Sequence, residues 1–143
     1  RQALKYYDTL MQVSKKAAYE NGQRSALTNM AHIYQNRGQL NKALKLIEKA
    51  DKLTTENPYY KISSNNQKAE LYRQSGNYSK ALALAKANIS MPELVNYAPE
   101  RHRTFKLLYR LNARLGHYQE ALRWNDSLRN LENYLRDKDV RIK

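Results

Sequence analysis

The sequence predicts an all-α protein in which about seven helices form antiparallel pairs that stack into a solenoid. Three glycines, Gly38, Gly76 and Gly116, are spaced 38 and 40 residues apart, and each lies within the same local pattern. A fixed period of this length is typical of helical repeat arrays. Each predicted helix also has apolar residues at i, i+3 and i+4, which form a stripe that a single pair cannot bury. Stacking of neighbouring pairs would bury it.

The pattern around each glycine has a physical reason. Glycine adopts positive φ readily, so it can end the first helix and let the chain reverse tightly. A large residue two positions later would fill the turn, and a small alanine five positions later would let the two helices approach closely. A leucine always follows that alanine. The large residues are Leu40, Tyr78 and Tyr118, the alanines are Ala43, Ala81 and Ala121, and the leucines are Leu44, Leu82 and Leu122.

The first predicted helix covers residues 2–19, within a segment 1–22 that is expected to be the second helix of a truncated repeat. Asn21 and Gly22 are expected to end it, because glycine and asparagine are common helix stop signals. The chain thus begins inside a helical pattern. We therefore expect it to be a piece of a longer protein.

Three repeats are predicted after this helix, at residues 24–55, 58–91 and 99–136, the last including a capping helix. Asn57 is expected to cap the first helix of the second repeat, with Pro58 at its first helical position. Since 143 residues is an ordinary domain length, all of residues 1–143 are expected to form a single domain.

The composition is strongly basic, with 26 Lys and Arg against 13 Asp and Glu and a net charge of +13. The absence of cysteine excludes disulfides and thiolate chemistry. No apolar run approaches the length of a membrane span. The twelve tyrosines suit helix-packing surfaces that keep one edge in water.

The first repeat contains Ala31, Tyr34, Gly38, Ala43 and Ala50. This pattern resembles a tetratricopeptide repeat, and its counterparts around the second and third glycines resemble two more. The resemblance covers nearly the whole chain. It implies a right-handed superhelix whose first helices line a concave face.

The chain departs from the family pattern in three respects. Its period exceeds the usual length of about 34 residues. Asn112 replaces the tyrosine of the first helix, and Lys68 stands where an apolar residue is expected. These departures indicate longer helices and looser stacking near Lys68. The alternative, an ordinary helical bundle, would leave the three matching patterns to chance.

The outward stripes of the three first helices predict a concave peptide-binding face. One end of this face would be polar and the other basic, so that Arg and Lys could form charge-assisted bonds to carboxylates of an acidic peptide or a C-terminus. It is loosely similar to the carboxylate clamp of some family members, without matching it residue for residue. The alternative is a set of solvated surface charges. The candidates are Ser25, Thr28, His32 and Gln35, then Ser63, Asn66, Glu70 and Arg73, then Arg103, Lys106 and Arg110.

No catalytic, cofactor or metal site is predicted, and the chain is not expected to be an enzyme. It has neither a glycine-rich phosphate loop nor a serine-nucleophile elbow. Its three histidines, His32, His102 and His117, have no second histidine at helical spacing. Direct binding of nucleic acid or another acidic ligand is the alternative function that the net charge raises. The lysines Lys42, Lys45, Lys49 and Lys52 share one stripe, but that stripe is expected to be a solvated outer face.

The tail SLRNLENYLRDKDVRIK and the richness in Tyr, Asn and Lys resemble the tetratricopeptide sensor regions of Bacteroidetes-type regulators. The resemblance implies a following transmembrane helix and a histidine kinase or helix-turn-helix output domain. It also implies a periplasmic location, with the cytoplasm as the alternative. Leu128, Leu131, Leu135 and Ile142 follow heptad spacing, which would allow self-association, although a capping helix with a frayed polar end is the favoured interpretation. The predicted function is a protein- or peptide-binding scaffold within a signalling or transcription-regulating protein.

Overall fold

A computed structural model of the protein describes residues 2–16, 20–53 and 57–142. Throughout these ranges the chain forms helices joined by short turns, without β-strands. The prediction of an all-α repeat fold with about seven helices is therefore confirmed. A 3-10 helix, Pro92–Asn96, precedes the sixth α-helix. The seven α-helices are α1 (Gln2–Lys16), α2 (Glu20–Asn36), α3 (Leu40–Asp51), α4 (Pro58–Gln74), α5 (Tyr78–Ile89), α6 (Ala98–Arg114) and α7 (Tyr118–Ile142).

The chain divides into two compact units, Arg1–Ser64 and Asn65–Lys143, and α4 supplies residues to both. In the first unit, α2 packs against α1 and α3. In the second, α6 packs against α5 and α7. None of the helices in the described ranges is long and apolar enough to cross a membrane.

The first helices of the three pairs end as the glycine pattern predicts. Gly38, Gly76 and Gly116 have φ values of 76°, 86° and 82°. At the second turn, the amide of Gly76 donates to the Arg73 carbonyl at 3.1 Å and the amide of Asn77 donates to the Tyr72 carbonyl at 2.8 Å. The other two turns repeat both bonds. This pair of bonds is the Schellman motif, which satisfies carbonyls at the end of the helix.

Replacing Gly76 with alanine should lower the free energy of unfolding by about 1–2 kcal/mol. An added Cβ would meet no atom within 4 Å, so the cost arises from the positive φ alone. Gly76→Asn should cost less, because asparagine tolerates this conformation better. Urea denaturation of both variants measures the difference. Equal costs would contradict a conformational origin.

The start of α4 also follows the prediction. The Asn57 Oδ1 atom accepts a hydrogen bond from the backbone amide of Tyr59 at 3.0 Å, and Pro58 is the first residue of the helix. Asparagine thereby satisfies one of the free amides at the helix N-terminus. The predicted cap is confirmed.

The predicted boundary at Asn21 and Gly22 is wrong, because both residues lie inside α2, which begins at Glu20. The buried Arg24 side chain donates to Asn21 Oδ1 and to the Leu53 carbonyl, each at 3.2 Å. Its guanidinium also lies 4.3 Å from the ring centroid of Tyr60. These contacts stabilise the helix around Gly22, whose intrinsic cost in a helix is only about 1 kcal/mol. Residues 17–19, where the first helix was predicted to end, lie outside the described residues.

The core of the second unit shows why small residues recur in the pattern. Ala69 of α4 and Ala81 of α5 are fully buried in one cluster with leucines of α6. A side chain limited to Cβ lets helix backbones approach closely while the leucines fill the remaining space. The cluster comprises Ala69, Ala81, Leu82, Ala85, Leu107, Leu108 and Leu111.

The heptad-spaced leucines of α7 lie partly in this unit's own core. Leu128 and Leu131 are buried, and Leu135 is half-buried. The side chain of Ile142 lies outside the described residues. Two of the four residues that suggested self-association are thus covered by the chain itself. This placement agrees with the capping-helix interpretation.

Candidate peptide-binding surface

An open cavity of about 470 Å³ lies in the second unit, beside the end of α4, the start of α5 and the last turns of α6. Three of its lining residues are arginines and two are tyrosines. Because these residue types combine charge, hydrogen-bond donors and aromatic faces, the cavity can hold a polar ligand with an apolar part. The lining residues are Arg73, Tyr78, Tyr109, Arg110, Leu111, Ala113 and Arg114.

Local sequence explains why these side chains converge. Arg73 lies in the last turn of α4, and the turn at Gly76 places Tyr78 at the start of α5 close to it. Arg110 and Arg114 are four residues apart on α6, so they lie on the same face of that helix. Packing of α6 against α5 then brings the two sets together.

Arg73 is neutralised within the protein. Its Nε atom donates to Glu70 Oε1 at 3.0 Å and to Oε2 at 3.1 Å, and a terminal guanidinium nitrogen also contacts Oε1. The hydrogen bond to Glu70 raises the pKa of Arg73 above its ordinary value, and the attraction of the Glu70 charge adds to it, whereas burial opposes it. Arg73 therefore stays protonated and holds Glu70 beside the cavity.

The other two arginines of the cavity have no such partner. Among the described residues, no carboxylate lies within ion-pair distance of Arg110 or Arg114. The Arg114 guanidinium lies 5.2 Å from the ring centroid of Tyr78, a cation–π contact that orients it without cancelling its charge. Like charges four residues apart on a helix cost about 0.2–0.5 kcal/mol. An anion placed between them would offset this repulsion.

Lys106 extends the same face of α6 by one more turn. It is exposed, as are Arg110 and Arg114, and we call these three residues the basic stripe. Arg103, the third cation predicted on α6, instead donates to Glu100 Oε1 at 3.2 Å. Two residues of the predicted basic end, Lys106 and Arg110, therefore keep a surplus charge. Arg114, which was not predicted, joins them.

The predicted polar residues of the first unit lie on α2 and the start of α4. Ser25 and His32 are exposed, and Gln35 and Ser63 are half-buried. The Thr28 hydroxyl donates back to the Arg24 carbonyl at 3.0 Å, so it is engaged within its own helix. The role of these residues in ligand binding stays a prediction.

Asn66 differs from the prediction of an outward stripe, because its side chain is only 3% exposed. Its Nδ2 atom donates to Glu100 Oε2 at 2.8 Å, and its Oδ1 atom accepts from the Thr104 hydroxyl at 2.8 Å. Helix α6 therefore covers the part of α4 that spacing alone placed in the groove. The outward stripe of α4 is interrupted between Ser63 and Glu70.

The buried polar residues around Asn66 form one network that joins α4, α5 and α6. Asn88 lies at its centre. The Asn88 Nδ2 atom donates to Asn66 Oδ1 at 3.0 Å and to Thr104 Oγ1 at 3.2 Å, and its Oδ1 atom accepts from Asn65 Nδ2 at 3.0 Å. The network fixes the three helices whose ends frame the cavity.

Sequence reasoning missed Tyr78, Tyr109 and Arg114 as cavity residues. Arg114 could have been found, since it continues the spacing of Lys106 and Arg110 by one turn. The tyrosines were assigned to helix packing, and only the turn geometry shows that they also face an open space.

His102 has a partner that helical spacing does not reveal. In the structure its Nε2 atom lies 2.9 Å from Glu132 Oε2 of α7, a residue thirty positions away. Within the described ranges, no three His, Cys, Asp or Glu residues are placed to hold a metal ion.

Residues 22–91 match the family model described as "Tetratricopeptide repeat". No curated protein sequence matches the chain at a significant level.

Solved structures show the same fold. One is the crystal structure of a single-residue variant of a Podosopora anserina protein, assigned as a kinesin light chain with nearly identical TPR-like repeats. It is 19% identical, has a TM-score of 0.69, and the alignment covers 95% of this chain and 68% of that one. The structure without the substitution is also 19% identical, with a TM-score of 0.65 and coverage of 94% and 67%. Residues 22–91 therefore match the tetratricopeptide-repeat model, and the chain has the fold of a tetratricopeptide-repeat array.

Proposed function

We propose that the chain is a non-enzymatic scaffold that binds an acidic peptide segment of a partner protein at the basic stripe and the adjoining cavity. The observation that carries this proposal is the surplus positive charge of Lys106, Arg110 and Arg114, which have no carboxylate partner among the described residues. Tetratricopeptide-repeat arrays mediate protein–protein interaction, which supports a peptide ligand.

The chemistry of the stripe suits carboxylates on an extended peptide. Arginine offers a planar fork of donors that pairs with a carboxylate through two parallel hydrogen bonds. Such charge-assisted bonds are about twice as strong as neutral ones. Tyr78 and Tyr109 add apolar area and hydroxyl donors beside the charges, so neighbouring side chains of the peptide would also be contacted.

Peptide arrays of Asp- and Glu-rich, neutral and Lys-rich sequences test the proposal. The acidic set should bind with the highest affinity, and binding should weaken at high salt because exposed ion pairs are screened. The variant R110Q/R114Q should lose at least about tenfold in affinity, the loss expected for one charge-assisted hydrogen bond.

The matched control is R123Q/R129Q, which removes the same charge from exposed positions on α7. It should retain the affinity for acidic peptides. Equal losses in both variants would show that net charge alone attracts the peptides. Tight binding of duplex DNA or single-stranded RNA, with no peptide bound, would overturn the proposal in favour of a nucleic-acid ligand.

We propose further that the scaffold is the sensory or interaction region of a larger signalling or transcription-regulating protein. This step is supported by the resemblance of the tail and composition to regulator sensor regions. A full-length gene that encodes neither a membrane span nor an output domain would contradict it.

A further inference from the structure

The positive charge of the cavity exceeds what a single carboxylate can neutralise. Three guanidinium groups, those of Arg73, Arg110 and Arg114, line it, and Glu70 is bonded to the first of them. These four groups together have a net charge of +2. A lone Asp or Glu side chain would neutralise half of this charge, whereas a phosphate monoester has a charge of about −1.5 to −2 at neutral pH.

The donors around the cavity also outnumber what one carboxylate can accept. Arg110 and Arg114 each present a planar fork, and the hydroxyls of Tyr78 and Tyr109 add two single donors. A carboxylate has two acceptor oxygens, but a phosphate monoester has three, spread over a tetrahedron. Clusters of arginines are the recurring means by which proteins bind phosphorylated side chains.

The cavity is large enough to hold a phosphorylated side chain. Its volume of about 470 Å³ exceeds that of a phosphate group, so it can also hold the residues that flank it. Ala113 and the ring of Tyr109 supply the apolar part of the lining for such flanking groups. We propose that this cavity binds the phosphate of a phosphorylated serine or threonine side chain, a step that rests on the proposed peptide-binding function.

Three degenerate peptide libraries that differ only at a central position test the inference by fluorescence polarisation. The central residue is phosphoserine, serine or glutamate. The phosphoserine library should bind at least about tenfold more tightly than the serine library, with the glutamate library between them. R110Q/R114Q should abolish the preference, and R123Q/R129Q should retain it.

A charge-altering comparison sharpens the test. E70Q raises the net charge of the four groups from +2 to +3, so it should increase the affinity for the phosphoserine library several-fold. E120Q, which alters a half-buried glutamate paired with Arg123 on α7, should leave that affinity unchanged. No change in E70Q would contradict the charge argument.

The outcomes separate this inference from the proposed function. Equal binding of the phosphoserine and serine libraries would overturn the inference and leave peptide binding intact. If neither these libraries nor the acidic arrays bind, both fail together. Inorganic phosphate that binds as tightly as the phosphoserine library would overturn the peptide ligand in favour of a free anion.

NMR shifts of arginine Nε groups upon adding phosphoserine peptides should occur at Arg110 and Arg114, and shifts only at Arg123 would contradict the site.

Discussion

Replacing Asn88 with alanine is expected to lower the free energy of unfolding by about 2–4 kcal/mol, because buried groups left without a partner cost about 1–3 kcal/mol each. The Asn88 side chain is fully buried and bonds to Asn65, Asn66 and Thr104. Its loss leaves the Asn65 amide without an acceptor and opens space between three helices. Urea denaturation monitored by circular dichroism measures the change.

The matched control is Asn130→Ala on α7. Asn130 is exposed, so its replacement should change the free energy of unfolding by less than about 0.5 kcal/mol. Since alanine has a higher helix propensity than asparagine, propensity alone would stabilise both variants. Similar losses in the two variants would show that the buried network does not account for the effect.

A double-mutant cycle with Asn65 isolates the central hydrogen bond. Asn65 is 1% exposed, and its Oδ1 atom has no hydrogen-bond partner in the described part of the chain. The Asn65 amide bonds to Asn88, whereas the unpaired oxygen already lowers the stability of the folded state. N65A/N88A should cost less than the two single variants together, since the second change removes groups that the first leaves unsatisfied. Strict additivity would contradict direct coupling.

The helix pairs could be predicted because local physics determines them. Glycine at positive φ and the spacing of apolar residues depend on neighbours within a few positions, and both are visible in the sequence. Asn57 as a cap follows from the same kind of local rule. The start of α2 could not be predicted, because it depends on Arg24 and its bond to the carbonyl of Leu53, 29 residues away.

The same distinction between local and long-range effects applies to the candidate site. Arg73 and Arg110 were found from helical spacing, and the structure places both at one cavity. Asn66 lies at a similar outward position in the helical pattern, yet it is buried by α6 and bonded to Glu100. In the sequence, a polar residue at an outward position looks the same whether a later helix buries it or water surrounds it. Only long-range packing distinguishes the two cases.

Leu82 and Leu122 show the same effect of long-range packing most clearly. Both leucines directly follow the alanine of the repeated pattern, so the sequence treats them as equivalent. In the structure Leu82 is 7% exposed and packs in the cluster with Leu107 and Leu108, whereas Leu122 is 63% exposed. Leu82→Ala should lower the free energy of unfolding by about 2–4 kcal/mol, from the lost burial and the cavity it leaves.

Leu122→Ala should change the free energy of unfolding by less than about 0.5 kcal/mol, because an exposed side chain loses little burial and leaves no cavity. Both variants remove the same atoms from the same position of a second helix, so intrinsic helix propensity cancels in the comparison. Urea denaturation of the two proteins under identical conditions measures the difference. A Leu122→Ala loss as large as that of Leu82→Ala would mean that a further surface covers α7 in solution. The apolar stripe of a repeat stabilises the array only where another helix packs on it, and these two leucines test that condition within one chain.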